Sequence, residues 1–136
     1  MTYLLDVNAL VALGFTNHEF HSRVSLWIRK QTSPVLATCP ITELGFVRVL
    51  AQAPAYGITV SQGRALLLRL KEFLASQYTF IADNQDISTL PGWARAPKQI
   101  TDGHLSKLAV ANGAILATLD DNIPGSYLIP KSLTHR

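Results

Sequence analysis

Cysteine, charge and long apolar runs are all scarce in this chain. Its one cysteine, Cys39, cannot close an intramolecular disulfide, which excludes a bridge-stapled secreted scaffold and suits a reducing cytoplasm. No apolar run approaches the ~18 residues of a membrane span, and Asp6 interrupts the amino terminus, so neither a transmembrane helix nor a signal peptide is expected. Charged residues make up only 15% against 48% hydrophobic, the reverse of a disordered chain. Acids are scarcer still, nine against twelve Lys and Arg; a net charge of +3 permits a polyanionic partner without forming a basic coat. The absence of any Cys or His cluster excludes a zinc motif. At 136 residues the chain fits one domain, expected to span 1–136 as a cytoplasmic globular protein with no membrane contact.

What is present is a repeated alternation. Short apolar runs, Tyr3-Leu4-Leu5, Val35-Leu36-Ala37, Tyr78-Thr79-Phe80-Ile81 and Ile115-Leu116-Ala117, lack polar alternation, as strands buried on both faces do. Helical patterns separate them. Phe20, Val24, Trp27 and Ile28 form one stripe, with Asn17 as its expected cap. Pro40 suits the first turn of a second helix, which should stop before Pro54. Ser61 is the expected cap of a third, burying Leu66, Leu67, Leu70, Phe73 and Leu74 while Arg64, Arg69 and Lys71 stay wet. A fourth should open at Thr101 and close at Asn112-Gly113. The pattern predicts a single three-layer α/β domain, a central parallel sheet with helices on both faces. Residues 82–100 read as an irregular segment, and the tail after Pro130 is expected to fray.

Four of the nine acids occupy telling positions. Asp6 follows the first strand and Asp120 the last; Glu43 lies in the opening turn of the helix leaving the second strand, and Asp102 beside Thr101 at the start of the fourth helix. In a wound sheet these positions share the carboxyl edge, where α/β ligand sites lie. Carboxylates crowded there repel one another unless a cation compensates. Oxygen-only donors favour Mg²⁺ or Mn²⁺, and such a site suits phosphodiester hydrolysis. The bland reading makes Asp102 and Glu43 helix-dipole acids worth ~0.3–1 kcal/mol each, and Asp120-Asp121 a turn.

The stretches Leu4-Leu5-Asp6-Val7-Asn8-Ala9-Leu10, Thr42-Glu43, Thr101-Asp102 before Leu105, and Leu116-Ala117-Thr118-Leu119-Asp120 resemble PIN-domain ribonucleases, specifically the VapC-type toxins of bacterial toxin–antitoxin pairs. The resemblance spans nearly the whole chain. It implies an endoribonuclease whose four-acid metal site is Asp6, Glu43, Asp102 and Asp120, with Asp6 and Asp102 as direct ligands and Asn8 and Thr118 in support. It also implies a cognate antitoxin that blocks the cleft. Asp121 departs from the basic residue common after the fourth acid, and His104 from the aromatic or small residue common at its position.

For RNA, Arg95 and Lys98, with Arg48 and Lys107, are expected phosphate contacts, and Trp93 a base-stacking or loop-anchoring side chain. The apolar content suggests a homodimer or an antitoxin covering exposed patches. Two other readings compete: a signalling receiver domain, although no lysine follows Ile115–Leu119, and an inert binding module whose acids only cap helices.

Overall fold

The computed structural model describes residues 1–131, so the expected fraying of the tail falls chiefly outside them. Five parallel strands, β1 (Thr2–Leu5), β2 (Val35–Thr38), β3 (Tyr78–Phe80), β4 (Ala114–Thr118) and β5 (Tyr127–Leu128), form one sheet in the order β3-β2-β1-β4-β5. Five α-helices accompany them among the described residues: α1 (Val7–Gly14), α2 (His21–Lys30), α3 (Pro40–Gln52), α4 (Val60–Leu74) and α5 (Pro97–Ala111). The three-layer α/β expectation holds. Two elements escaped it: β5 has only two residues, too short to leave a pattern, and α1 follows β1 so closely that its apolar residues read as one run.

Successive side chains of a strand face opposite sides of the sheet, and β1 shows how each side is filled. Tyr3 and Leu5 join the larger core, with Leu10, Val24, Trp27, Phe46, Leu50 and Leu67 from α1 to α4. Leu4 joins the smaller one, with Leu105, Leu108 and Ala109 of α5. Four helices thus cover one face and α5 the other. Trp27 is 1% exposed, donates its indole N–H to the Tyr127 hydroxyl at 3.2 Å and packs against Tyr3, a core anchor as expected. Buried Cys39 is likewise a small core residue.

Several expected boundaries move. Helix α2 begins after Phe20 without a side-chain cap, so Asn17 caps nothing, and Phe20 is 39% exposed. The cap of α4 is Thr59 rather than Ser61; Thr59 Oγ1 accepts from the Gln62 amide at 3.1 Å and Gln62 Oε1 accepts from the Thr59 amide at 2.9 Å, a reciprocal pair Ser61 cannot make. Phe73, at the margin of the α4 stripe, is 84% exposed. Helix α5 opens at Pro97 rather than Thr101, because proline presets the first-turn backbone and Gln99 Oε1 accepts from the amides of Arg95 and Ala96 at 3.1 and 3.0 Å. Its end is as expected: Gly113 takes φ +68°, where a side chain would be strained.

Candidate active site

Asp6 continues β1 by one residue, its amide donating to the Ala117 carbonyl at 2.9 Å, and then caps α1. Its Oδ1 accepts from the Val7 amide at 2.8 Å and its Oδ2 from the Thr118 hydroxyl at 2.8 Å. Thr118, the last residue of β4, is fully buried; its Oγ1 also accepts from the Asp120 amide at 3.0 Å. Asn8 Oδ1 accepts from the Leu119 amide at 3.2 Å, so α1 and the turn after β4 are tied together beside Asp6. Asp120 Oδ1 in turn accepts from the Asn122 amide at 2.9 Å, fixing that turn. Thr118 thus touches the Asp6 carboxylate directly, whereas Asn8 touches the Leu119 amide and the Thr118 hydroxyl and no carboxylate.

Asp102 reaches the same edge from the opposite layer. It lies in the second turn of α5, not beside a cap, so the helix-dipole reading loses most of its force, since that effect fades within the first turn. Burial raises the Asp102 carboxyl above its ordinary value, and the charges of Asp6 and Asp120 raise it further. Burial also raises Asp6; the Thr118 and Val7 hydrogen bonds pull it back in part, and Asp120 adds to the rise. Asp102 thus feels both Asp6 and Asp120, and Asp6 feels Asp120, at the carboxyl end of β1 and β4.

Glu43 is on the same edge but is turned aside. Its Oε2 accepts from Thr38 Oγ1 at 2.6 Å and the Tyr78 hydroxyl at 3.2 Å, and pairs with Lys71 Nζ at 2.5 Å. Lys71, expected to be solvated, is instead fastened to Glu43. Burial alone would lower its ammonium, but the bonds to Glu43 and Tyr78 outweigh burial and hold it above the usual lysine range. This network joins α3, α4, β2 and β3, and only the fold brings its members together.

His104 Nε2 and Asp83 Oδ2 are hydrogen-bonded at 2.6 Å, linking the segment after β3 to α5. Of the expected phosphate contacts, exposed Lys98 sits one turn before Asp102 on α5, where i and i+4 side chains are neighbours. Arg95 is exposed and leans back on the Gly92 carbonyl at 3.4 Å. Arg48, Lys98 and Lys107 are exposed, and neither they nor Arg95 pair with a carboxylate among the described residues. Trp93 packs partly against the smaller core, which favours its anchoring role. Burial pushes the Cys39 thiol up, so the site has no ready thiolate.

The donors fit a hard divalent cation: all are oxygens, and the three aspartates carry charge that no basic residue neutralises among the described ion pairs. No three His, Cys, Asp or Glu side chains among the described residues already converge as a finished ligand set.

The chain is 36% identical to Ribonuclease VapC38 of Mycobacterium tuberculosis over 127 residues, covering 88% of this chain and 86% of that protein. It is 38% identical to Ribonuclease VapC44 of the same species over 130 residues, covering 90% and 89%. The chain belongs to the VapC ribonucleases. Among solved structures, Mycobacterium tuberculosis VapC20, a Sarcin-Ricin loop cleaving toxin, superposes with TM-score 0.65 at 12% identity over 94% of this chain and 99% of that one. VapBC2 from Rickettsia felis, bound to a DNA fragment from its promoter, gives 0.55 at 17% identity over 94% and 97%. These likenesses show that the VapC fold is shared. No protein-family model matches the chain. The receiver reading finds no counterpart among these relatives, and Lys71 on α4 cannot replace the lysine it requires after β4.

Proposed function

We propose that this VapC family member is a Mg²⁺- or Mn²⁺-dependent endoribonuclease, the toxin of a toxin–antitoxin pair, with Asp6, Glu43, Asp102 and Asp120 as its four-acid site. The observation that carries the reading is that the Thr118 hydroxyl group ties Asp6 to the Asp120 backbone, with burial first and then neighbouring acids (Asp120 for Asp6, Asp6 and Asp120 for Asp102) lifting Asp6 and Asp102, a concentration of negative charge that a cation would relieve. Asp6 and Asp102 are the proposed direct ligands, Glu43 and Asp120 the flanking ones. A divalent ion bound there supplies an activated water and neutralises charge at the scissile phosphate.

The remaining work falls to the chain itself. Thr118 and the Val7 amide fix both Asp6 oxygens, so the carboxylate meets its ligand without reorganising. Asn8 on α1 and Thr118 on β4 hold the turn bearing Asp120. Exposed Lys98 and Arg95 are the proposed phosphate contacts, which would position an RNA strand without reading its bases. In the reaction the water oxygen bonds to phosphorus, the bond to the leaving ribose oxygen breaks, and that oxygen takes up a proton.

The reading includes RNA as substrate, supported by the ribonuclease names of the relatives, and a cognate antitoxin, supported by the paired Rickettsia felis structure. It also includes a homodimer in the cytoplasm. No helix among the described residues is long and apolar enough to cross a membrane.

The deciding experiment is to map RNA ends after brief expression of the parental chain and of Asp6→Asn. New ends should appear with the parent and vanish with the variant, while circular dichroism stays unchanged. Equal cleavage by a folded Asp6→Asn in magnesium would sink the mechanism and favour an inert module with contaminating activity.

A further inference from the structure

Among the described residues, Glu43 is the one member of the proposed quartet that already pairs with a cation. We propose that Lys71 is a positioning residue that competes with the divalent ion for Glu43, holding this carboxylate on the β3 side of the edge until the metal takes it. The inference rests on the metal-site reading above and adds a residue that no family resemblance supplied.

Three features support it. First, Glu43 Oε2 receives Lys71, Thr38 and Tyr78 together, so one oxygen is heavily engaged while Oε1 has no protein partner among the described hydrogen bonds. Second, Lys71 has somewhere else to rest: its ammonium lies 5.4 Å from the Tyr78 ring centroid and 5.6 Å from that of Phe80, and aromatic faces attract cations. Losing Glu43 would leave the ammonium over two rings and partly in water, not stranded. Third, Glu43 and Lys71 are each about a fifth to a quarter exposed, so an incoming ion can reach the pair. Arg64 lines the same α3–α4 groove but makes no ion pair among the described residues, leaving Lys71 as the competitor in contact.

The aspartates and Glu43 thereby differ in kind. Asp6, Asp102 and Asp120 carry unneutralised charge, whereas Glu43 must exchange one cation for another. That exchange costs affinity, and removing Lys71 should return it.

The test is Mn²⁺ titration by calorimetry on the metal-free full chain, comparing the parent, Lys71→Met, Lys71→Arg, Glu43→Gln and the Lys71→Met/Glu43→Gln pair. Methionine keeps an apolar stem against the two rings; Lys71→Gln serves if Lys71→Met fails to fold. Lys71→Met should bind Mn²⁺ roughly tenfold more tightly than the parent, the scale of one charge-assisted hydrogen bond. Lys71→Arg should stay at the parental affinity, and in the Glu43→Gln background the Lys71→Met gain should disappear. Parental or weaker binding by Lys71→Met overturns the proposal. So does a gain that survives Glu43→Gln, since it would reflect only a long-range charge effect. A parental chain that binds no Mn²⁺ removes this proposal and the metal site together, whereas a binding parent with an unresponsive Lys71→Met removes this proposal alone.

Discussion

The Thr118 hydroxyl donates to Asp6 Oδ2 at 2.8 Å while its oxygen accepts from the Asp120 amide at 3.0 Å, so one buried side chain holds two acids of the site in register. The hydroxyl thereby adds a side-chain tie between the residues that end β1 and β4, beside the backbone ladder that already pairs those strands.

Thr118→Val keeps the shape and removes that oxygen. The Asp120 amide loses its partner and Asp6 loses a donor, which should cost about 1–3 kcal/mol in urea unfolding, the usual penalty for stranding a polar group. RNA cleavage should fall with it. Thr118→Ser, which keeps the hydroxyl, should recover most of both losses.

Asp102 gives a pH dependence with a defined sign. Its folded-state carboxyl sits above the unfolded value, so the native chain holds the proton more tightly than the unfolded chain. Without metal, stability should therefore fall as pH rises from the ordinary carboxylate range through the elevated folded value, and recover as pH is lowered again. Thermal melts in chelator across weakly acidic to neutral pH should show this slope. Asp102→Asn should flatten it and melt higher than the parent at neutral pH.

Helices α1 and α3 touch closely at Gly45, where an added Cβ would lie 2.6 Å from Val7 Cγ2. Gly45→Ala should destabilise by about 1–3 kcal/mol, as overpacking does, read from the thermal midpoint. Adding Val7→Ala should restore part of the loss, a non-additivity expected of residues in contact.

Lys98 should act on RNA through charge alone. Lys98→Ala should weaken binding of unrelated single strands to a similar degree and lower the salt slope by about 0.7 per lost contact. A filter-binding series in increasing salt with Asp6→Asn as the background measures this without cleavage. Loss restricted to one sequence would make Lys98 a base reader instead.

How far the sequence foretold this arrangement depended on how local each signal was. Strand runs such as Leu4-Leu5 were legible because burial on both faces requires unbroken apolar residues. Asp6 and Asp120 could be placed because each directly follows such a run, and their edge follows from parallel topology. The start of α5 was misread because Thr101 is a good cap in isolation, whereas Pro97 and Gln99 together make a better one. The Lys71–Glu43–Tyr78 network had no local trace: its members are 28 and 35 residues from Glu43 in the chain and meet only through the packing of α4 and β3 against α3 and β2. The partner of His104 was hidden for the same reason, since Asp83 reaches it from a segment without regular structure.

Asp6 is both a proposed metal ligand and the residue that starts α1. Chemistry and architecture are therefore welded at one position under the proposed mechanism: replacing Asp6 by a residue that cannot cap, such as alanine, would also loosen the first helix, whereas asparagine keeps the cap and a change at Asp102, which caps nothing, leaves the frame standing.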